Sequence, residues 1–172
     1  MDQQIINIIA ERIKQGEIGV IPTDTIYGIV CSAFNENSVE KLYKIRKRNK
    51  DKPMIILIGS VNDLKLFNID AIVKNWPEKT SIVFDCNDFE YLHRGKRSLA
   101  FRLPHNKDLI DILKISGPIV APSANIEGGK PAENIKEAKS YFGDKIDFYL
   151  DVGTIKSKPS KIIYLNNEII RE

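Results

Sequence analysis

Short apolar runs rich in β-branched residues recur along the chain, each closed by a proline, a glycine or a polar cluster. They are IGVIP (18–22), IYGIVCSAF (26–34), MIILI (54–58), TSIVFD (80–85), SLAFRLP (98–104), PIVAP (118–122) and FYLDVG (148–153). Runs of this length and composition suit strands rather than helices. Helical stripes lie between them. In residues 2–15, Ile5, Ile6, Ile9 and Ile13 fall on one stripe, with Asp2 placed to cap the start and Gly16 to end it. A second helix from Ser38 turns Val39, Leu42 and Tyr43 inward, short helical pieces are expected over 61–67 and 69–76, and helices follow over 106–115 and 134–142. TSIVFD and SLAFRLP are joined hairpin-like through Gly95, and KIIYL and EIIRE flank a turn at Asn166 and Asn167. Strands that neighbour each other in places and alternate with helices elsewhere imply a twisted sheet of mixed direction flanked by helices. The fold class is therefore α/β (α+β), in a single domain over residues 1–172.

Composition narrows the function. Hydrophobic residues at 42% and charged residues at 28% suit a globular protein. No run approaches the roughly 18 apolar residues of a membrane span, and the first residues lack a cleavage signal, so a cytoplasmic protein with no membrane contact is expected. Cys31 and Cys86 are expected as reduced, packed thiols, and with His93 and His105 they make no zinc pattern.

Net charge is +3, yet KIRKRNKDKP (44–53) carries Lys44, Arg46, Lys47, Arg48, Lys50 and Lys52 against Asp51 alone, +5 in itself. Such a run can be a solvated helix end, where the macrodipole favours cations. Two features favour a polyphosphate grip instead: Arg46 stands where the apolar stripe would continue, and Lys52-Pro53 leads straight into a buried strand. PSAN (122–125) follows a strand. It reads either as a turn bonding its own backbone, or as Ser123 and Asn125 offered to a ligand, with Gly128-Gly129 letting backbone come close. There is no GxxxxGK[ST] or GxGxxG. PTDTIYG (22–28) is a polar turn between apolar strands, and Arg102 within an apolar strand needs a partner.

Taken in order, IPTDTIYGIVCSAFN, KIRKRNKDKPMIILI, SLAFRLP, GPIVAPSANIEGGKPA, PSKII and IIRE resemble the Sua5/YrdC/YciO family over almost the whole chain. The length is similar to the single-domain YrdC form. The resemblance implies a YrdC-like fold and L-threonylcarbamoyladenylate synthase activity, a nucleotidyltransferase reaction in which L-threonine, bicarbonate and ATP give threonylcarbamoyl-AMP and pyrophosphate. Threonylcarbamoyl-transferase proteins would use the product to make t6A at position 37 of ANN-decoding tRNAs. By motif, Thr25, Arg102, Ala121 and Ser160 would hold threonine, while Arg46, Arg48, Lys52, Ser98, Ser123, Asn125 and Arg171 would hold ATP. Arg48 and Lys52, with Mg²⁺ brought by ATP, would stabilise the leaving pyrophosphate.

Three departures stand out. Arg46 occupies a position that is usually lysine in the family, Leu57 aligns with a histidine of larger Sua5 forms, and Lys161 replaces a common threonine. The alternatives are a YciO-like paralogue with the same fold, or a double-stranded RNA or tRNA-binding module. A stacking surface for RNA needs exposed rings, and the basic run has only Tyr43, expected on the inner helix face.

Overall fold

The structure, a computed structural model, describes residues 1–164 and 169–171. The chain runs α1 (Gln3–Lys14), β1 (Gly19–Pro22), β2 (Tyr27–Ser32), α2 (Glu36–Arg46), β3 (Ile56–Leu57), a 3-10 helix (Val61–Phe67), β4 (Thr80–Asp85), α3 (Glu90–His93), β5 (Ser98–Arg102), α4 (Lys107–Ser116), β6 (Ile119–Val120), α5 (Ile135–Phe142), β7 (Phe148–Tyr149), β8 (Lys161–Tyr164) and β9 (Ile169–Arg171). The described strands form one nine-stranded sheet in the order β7-β1-β2-β6-β3-β5-β4-β8-β9. Its direction is mixed. β1 pairs antiparallel with β2 and parallel with β7, β3 runs parallel with β5, and β4 runs antiparallel to β5 but parallel to β8.

Helices cover both faces because alternate strand residues point to opposite sides. Val20, Ile29 and Ile56 join a core with Val39 and Leu42 of α2 and Ile135, Ala138 and Phe142 of α5. Their neighbours Ile21, Val30 and Leu57 join a second core with Ile6, Ile9 and Ile13 of α1 and Leu109, Ile112 and Leu113 of α4. Central strands therefore read as unbroken apolar runs, since both faces are dry. Each such side chain contributes about 1.5–3 kcal/mol by leaving water.

Caps behave as the composition suggests. The Asp2 carboxylate accepts from the Gln4 amide at 2.7 Å, and Asn35, Asn106 and Asn134 cap α2, α4 and α5 through their side chains. Cys31 and Cys86 are free and buried. Among the described residues no helix is long and apolar enough to cross a membrane.

Several expectations change. Ile5 is 42% exposed, because the buried stripe of α1 centres on Ile6, Ile9, Ala10 and Ile13, and Ile5 falls at its edge. Residues 69–76 form no helix: burial alternates from Ile69 to Lys74, as in extended chain, and Trp76 is fixed by its indole N–H donating to the Thr80 carbonyl at 2.9 Å. The connection from β4 to β5 holds the one-turn helix α3. The turn expected at Asn166 and Asn167 lies outside the described residues, although β8 and β9 pair antiparallel on either side of it.

Candidate active site

Five segments distant in sequence meet at a cavity of about 170 Å³: the β1–β2 loop, residues 53–55 entering β3, one face of β5, residues 121–123 leaving β6, and residues 159–162 around the start of β8. Gly28 of β2 bridges to Ser123, and the Ile29 amide donates to the Pro122 carbonyl at 3.0 Å. These bonds fix the extended backbone of the PSAN loop beside the β1–β2 turn. A Cβ on Gly28 would lie 3.0 Å from the Thr23 side chain and 3.5 Å from the Pro122 carbonyl. The nearby Thr23 methyl leaves little room for a side chain at this position.

Arg102 at the end of β5 is the deepest charge in the cavity, its side chain 5% exposed. Its Nη2 lies 3.1 Å from Asp24 Oδ1, and its Nη1 donates to Thr25 Oγ1 at 3.2 Å. Burying a guanidinium is costly unless charge and hydrogen bonds compensate, and the PTDT turn supplies both. The turn is itself braced, since Thr23 Oγ1 donates to the Ile26 carbonyl at 2.7 Å and sits 3.2 Å from Thr25 Oγ1. Across the cavity, Ser160 Oγ lies 3.1 Å from Ser81 Oγ in a fully buried hydroxyl pair.

The rim is cationic. Arg48 Nε donates to the Lys52 carbonyl at 3.0 Å and its Nη2 to the Pro53 carbonyl at 2.8 Å, which points the guanidinium along the cavity edge. Tyr43 Oη also donates to the Lys52 carbonyl at 3.0 Å, and the Arg94 guanidinium packs 3.9 Å from the centre of the Tyr43 ring. That stack ties the basic loop to α2 and α3. Tyr43 is 2% exposed, so the basic run offers no stacking ring.

The structure brings Thr25, Arg48, Arg102, Ala121, Ser123 and Ser160 to one cavity. Others sit elsewhere. Lys52 is exposed, its Nζ 3.4 Å from Glu127 Oε1 outside the lining. Ser98 lies on the same face of β5 as Ala100 and Arg102, one repeat beyond the lining. Arg46 and Asn125 are buried outside the lining. Arg46 Nε donates to the Asn125 carbonyl at 3.0 Å, and its Nη2 lies 3.3 Å from Asn125 Oδ1 and 3.4 Å from Ser123 Oγ. Asn125 Nδ2 donates to the Ile126 and Gly129 carbonyls. Burial and the nearby Arg48 push the Arg46 guanidinium down to about 10, which still leaves it charged at neutral pH. Both residues, expected to meet ATP, bond to each other and to Ser123 and its loop. Arg171 is on β9, and its side chain lies outside the described residues.

Three contributors escaped the sequence reading. Asp24 reads as part of a polar turn, Ser81 is a fully buried hydroxyl on an apolar strand and invites the same question as Arg102, and Glu127 is the acid that meets the basic run.

A deep, charge-compensated pocket opening onto a cationic rim, built on a mixed sheet without a nucleotide-binding fingerprint, forms a candidate small-molecule site. The Sua5/YciO/YrdC family model, described as telomere recombination, matches residues 11–172. The chain belongs to this family. A Mycobacterium tuberculosis relative, provisionally named a threonylcarbamoyl-AMP synthase, is 30% identical over 160 residues, covering 88% of this chain and 74% of that protein. The Pseudoalteromonas translucida threonylcarbamoyl-AMP synthase is 28% identical over 87% of each chain. Among solved structures, Pyrococcus abyssi Sua5 complexed with L-threonine superposes with a TM-score of 0.87 at 27% identity, covering 96% of this chain. This chain spans about half, 52%, of that protein. Escherichia coli YciO shares the fold, with a TM-score of 0.82 at 19% identity over 99% of this chain and 92% of that one.

Proposed function

We propose that this chain is an L-threonylcarbamoyl-AMP synthase, joining L-threonine, bicarbonate and ATP with release of pyrophosphate. The observation that carries the reading is a single cavity holding Arg102, fixed by Asp24 and Thr25, with Arg48 on the same lining. At about 170 Å³ the cavity is below the ~300–1,000 Å³ of drug-sized sites. It has the size for an amino acid, with a nucleotide's phosphates lying across the rim.

In this reading Arg102 receives the threonine carboxylate, Thr25 and Ser160 offer hydroxyls, and Ala121 leaves room by being small. The threonine amine combines with bicarbonate to give a carbamate and water. A carbamate oxygen then attacks the α-phosphorus. The new O–P bond forms as the bond to the bridging oxygen breaks, and that electron pair leaves with pyrophosphate. The chemistry asks for alignment and neutralised charge more than for a strong base. Arg48 and Lys52 supply the neutralisation, while Ser123, braced from behind by Arg46, donates to the nucleotide. Among the described residues no three His, Cys, Asp or Glu side chains gather to hold a metal ion. Mg²⁺ is proposed to arrive on the ATP phosphates as part of the substrate.

The product is a mixed anhydride, suited to transferase proteins that place the threonylcarbamoyl group on tRNA. The test is pyrophosphate release by the purified chain with ATP, threonine, bicarbonate and Mg²⁺, each omitted in turn, with serine also tried for threonine. Release that needs both threonine and bicarbonate supports the synthase. ATP binding without release under any combination overturns it in favour of a YciO-like paralogue or an RNA-binding module.

A further inference from the structure

The loop after PSAN returns an acid to the basic rim. Glu127 Oε1 lies 3.4 Å from Lys52 Nζ and 3.8 Å from Arg48 Nη1, so one carboxylate oxygen faces both cations. Its other oxygen accepts from the Asn49 amide at 2.6 Å. The Arg48 Nε and Nη2 groups are already committed to the Lys52 and Pro53 carbonyls, which leaves Nη1 as the group turned toward Glu127. The separations to the cations are too long for tight charge-assisted bonds, which close to about 2.7–2.9 Å. One carboxylate oxygen thus faces the two cations that the proposed function gives to the phosphates.

The Glu127 backbone is anchored independently: its amide donates to the Arg46 carbonyl at 2.9 Å, and the Gly129 amide donates to Ile126. Displacing the carboxylate therefore leaves the backbone in place and requires a side-chain rotation into solvent, to which Glu127 is already 25% exposed, with exchange of the Asn49 bond for water. The Asn49 bond, with the neighbouring Lys52 and Arg48, holds the Glu127 carboxyl below its ordinary range, so it is anionic at neutral pH.

We infer that Glu127 is a built-in competing anion that occupies Arg48 and Lys52 until a polyphosphate displaces it, weakening ATP binding and speeding pyrophosphate release. The inference rests on the synthase reading above and adds to it a residue that sets phosphate affinity. It separates from a merely structural role by sign. A residue that only props the loop weakens ligand binding when altered, whereas a competitor strengthens it.

Glu127→Gln keeps an acceptor for the Asn49 amide and removes the charge. Calorimetric titration of the intact chain with pyrophosphate, ATP and threonine, at low and high salt, tests the idea. Glu127→Gln should bind pyrophosphate and ATP about three- to fivefold more tightly, the size of an exposed ion pair. The gain should shrink at high salt, where exposed charges are screened. Threonine affinity should stay unchanged, and Glu127→Asp should behave more like the parent than Glu127→Gln does. Unchanged or weaker polyphosphate binding in Glu127→Gln overturns the inference while leaving the synthase reading intact. A parent protein that binds neither ATP nor pyrophosphate overturns the reading itself, and this inference with it.

Discussion

The two arginines at the cavity are held in opposite ways. Arg102 is nearly sealed, 3.1 Å from Asp24 and bonded to Thr25, on a strand with dry neighbours. Arg48 sits in a loop, oriented by backbone carbonyls and separated by 3.8 Å from its nearest acid, with Lys52 beside it 61% exposed. The first arrangement has one geometry and excludes water, which suits recognition of a particular small molecule. The second leaves its charges partly open to solvent, which suits capture and release of a polyanion. In the proposed function, threonine and the phosphates are thus met by different parts of the site.

Removing the sealed charge should have the largest effect. Arg102→Ala leaves Asp24 buried without its cation, and should cost about 3–5 kcal/mol of stability, measurable by urea unfolding. Threonine-dependent turnover should fall by about two orders of magnitude. Lys52→Ala should give the converse pattern, with turnover down by about tenfold or more while stability stays within about 0.5 kcal/mol, as for other exposed positions. Equal stability losses in the two variants would erase the distinction. Next in size, Ser160→Ala strands the buried Ser81 hydroxyl and should destabilise by about 1–3 kcal/mol, read from the same unfolding curves.

Salt sharpens the contrast without any mutation. Raising ionic strength should increase KM for ATP severalfold while KM for threonine changes little, because only the rim is exposed to screening. The smallest effect concerns acid. The Glu127 carboxyl is held below its ordinary value of 4.5, chiefly by the Asn49 amide and then by Lys52. With the folded value depressed, its contribution to stability is complete above 4.5 and is lost as pH falls through the lower folded value. Glu127→Gln should therefore be slightly less stable than the parent near neutrality, the gap closing as pH falls below about 4.5, where the variant's profile is the flatter.

How far the sequence could be read depended on what each residue answers to. Central strands were legible because a run such as IYGIVCS is apolar on both faces and has no other use. Segment 69–76 was misread because Ile69, Ala71, Val73 and Trp76 supply enough apolar residues to suggest a helix. Their burial alternates instead, and Ile72 is 87% exposed. At the site, Arg102 announced itself as a charge on an apolar strand. Its partner Asp24 did not, since an aspartate between threonines is also ordinary turn chemistry. Arg46 showed its burial through the stripe of α2, but not that its nitrogens turn to the PSAN loop. That information exists only once β6 lies beside β2.

The same topology bears on how the protein comes to be folded. β1 pairs with β7 through Gly19 and Phe148, and β4 pairs with β8 through Thr80 and Lys161, so the parallel ladders close very long stretches of chain. Such closures come at an entropic cost that local contacts do not repay, and they slow folding. Ser160 reaches the cavity only when the β4–β8 ladder forms, and Thr25 faces Arg102 only across strands that are distant in sequence. The cavity draws on segments from across the chain, and a ligand bridging them would act as a brake on unfolding.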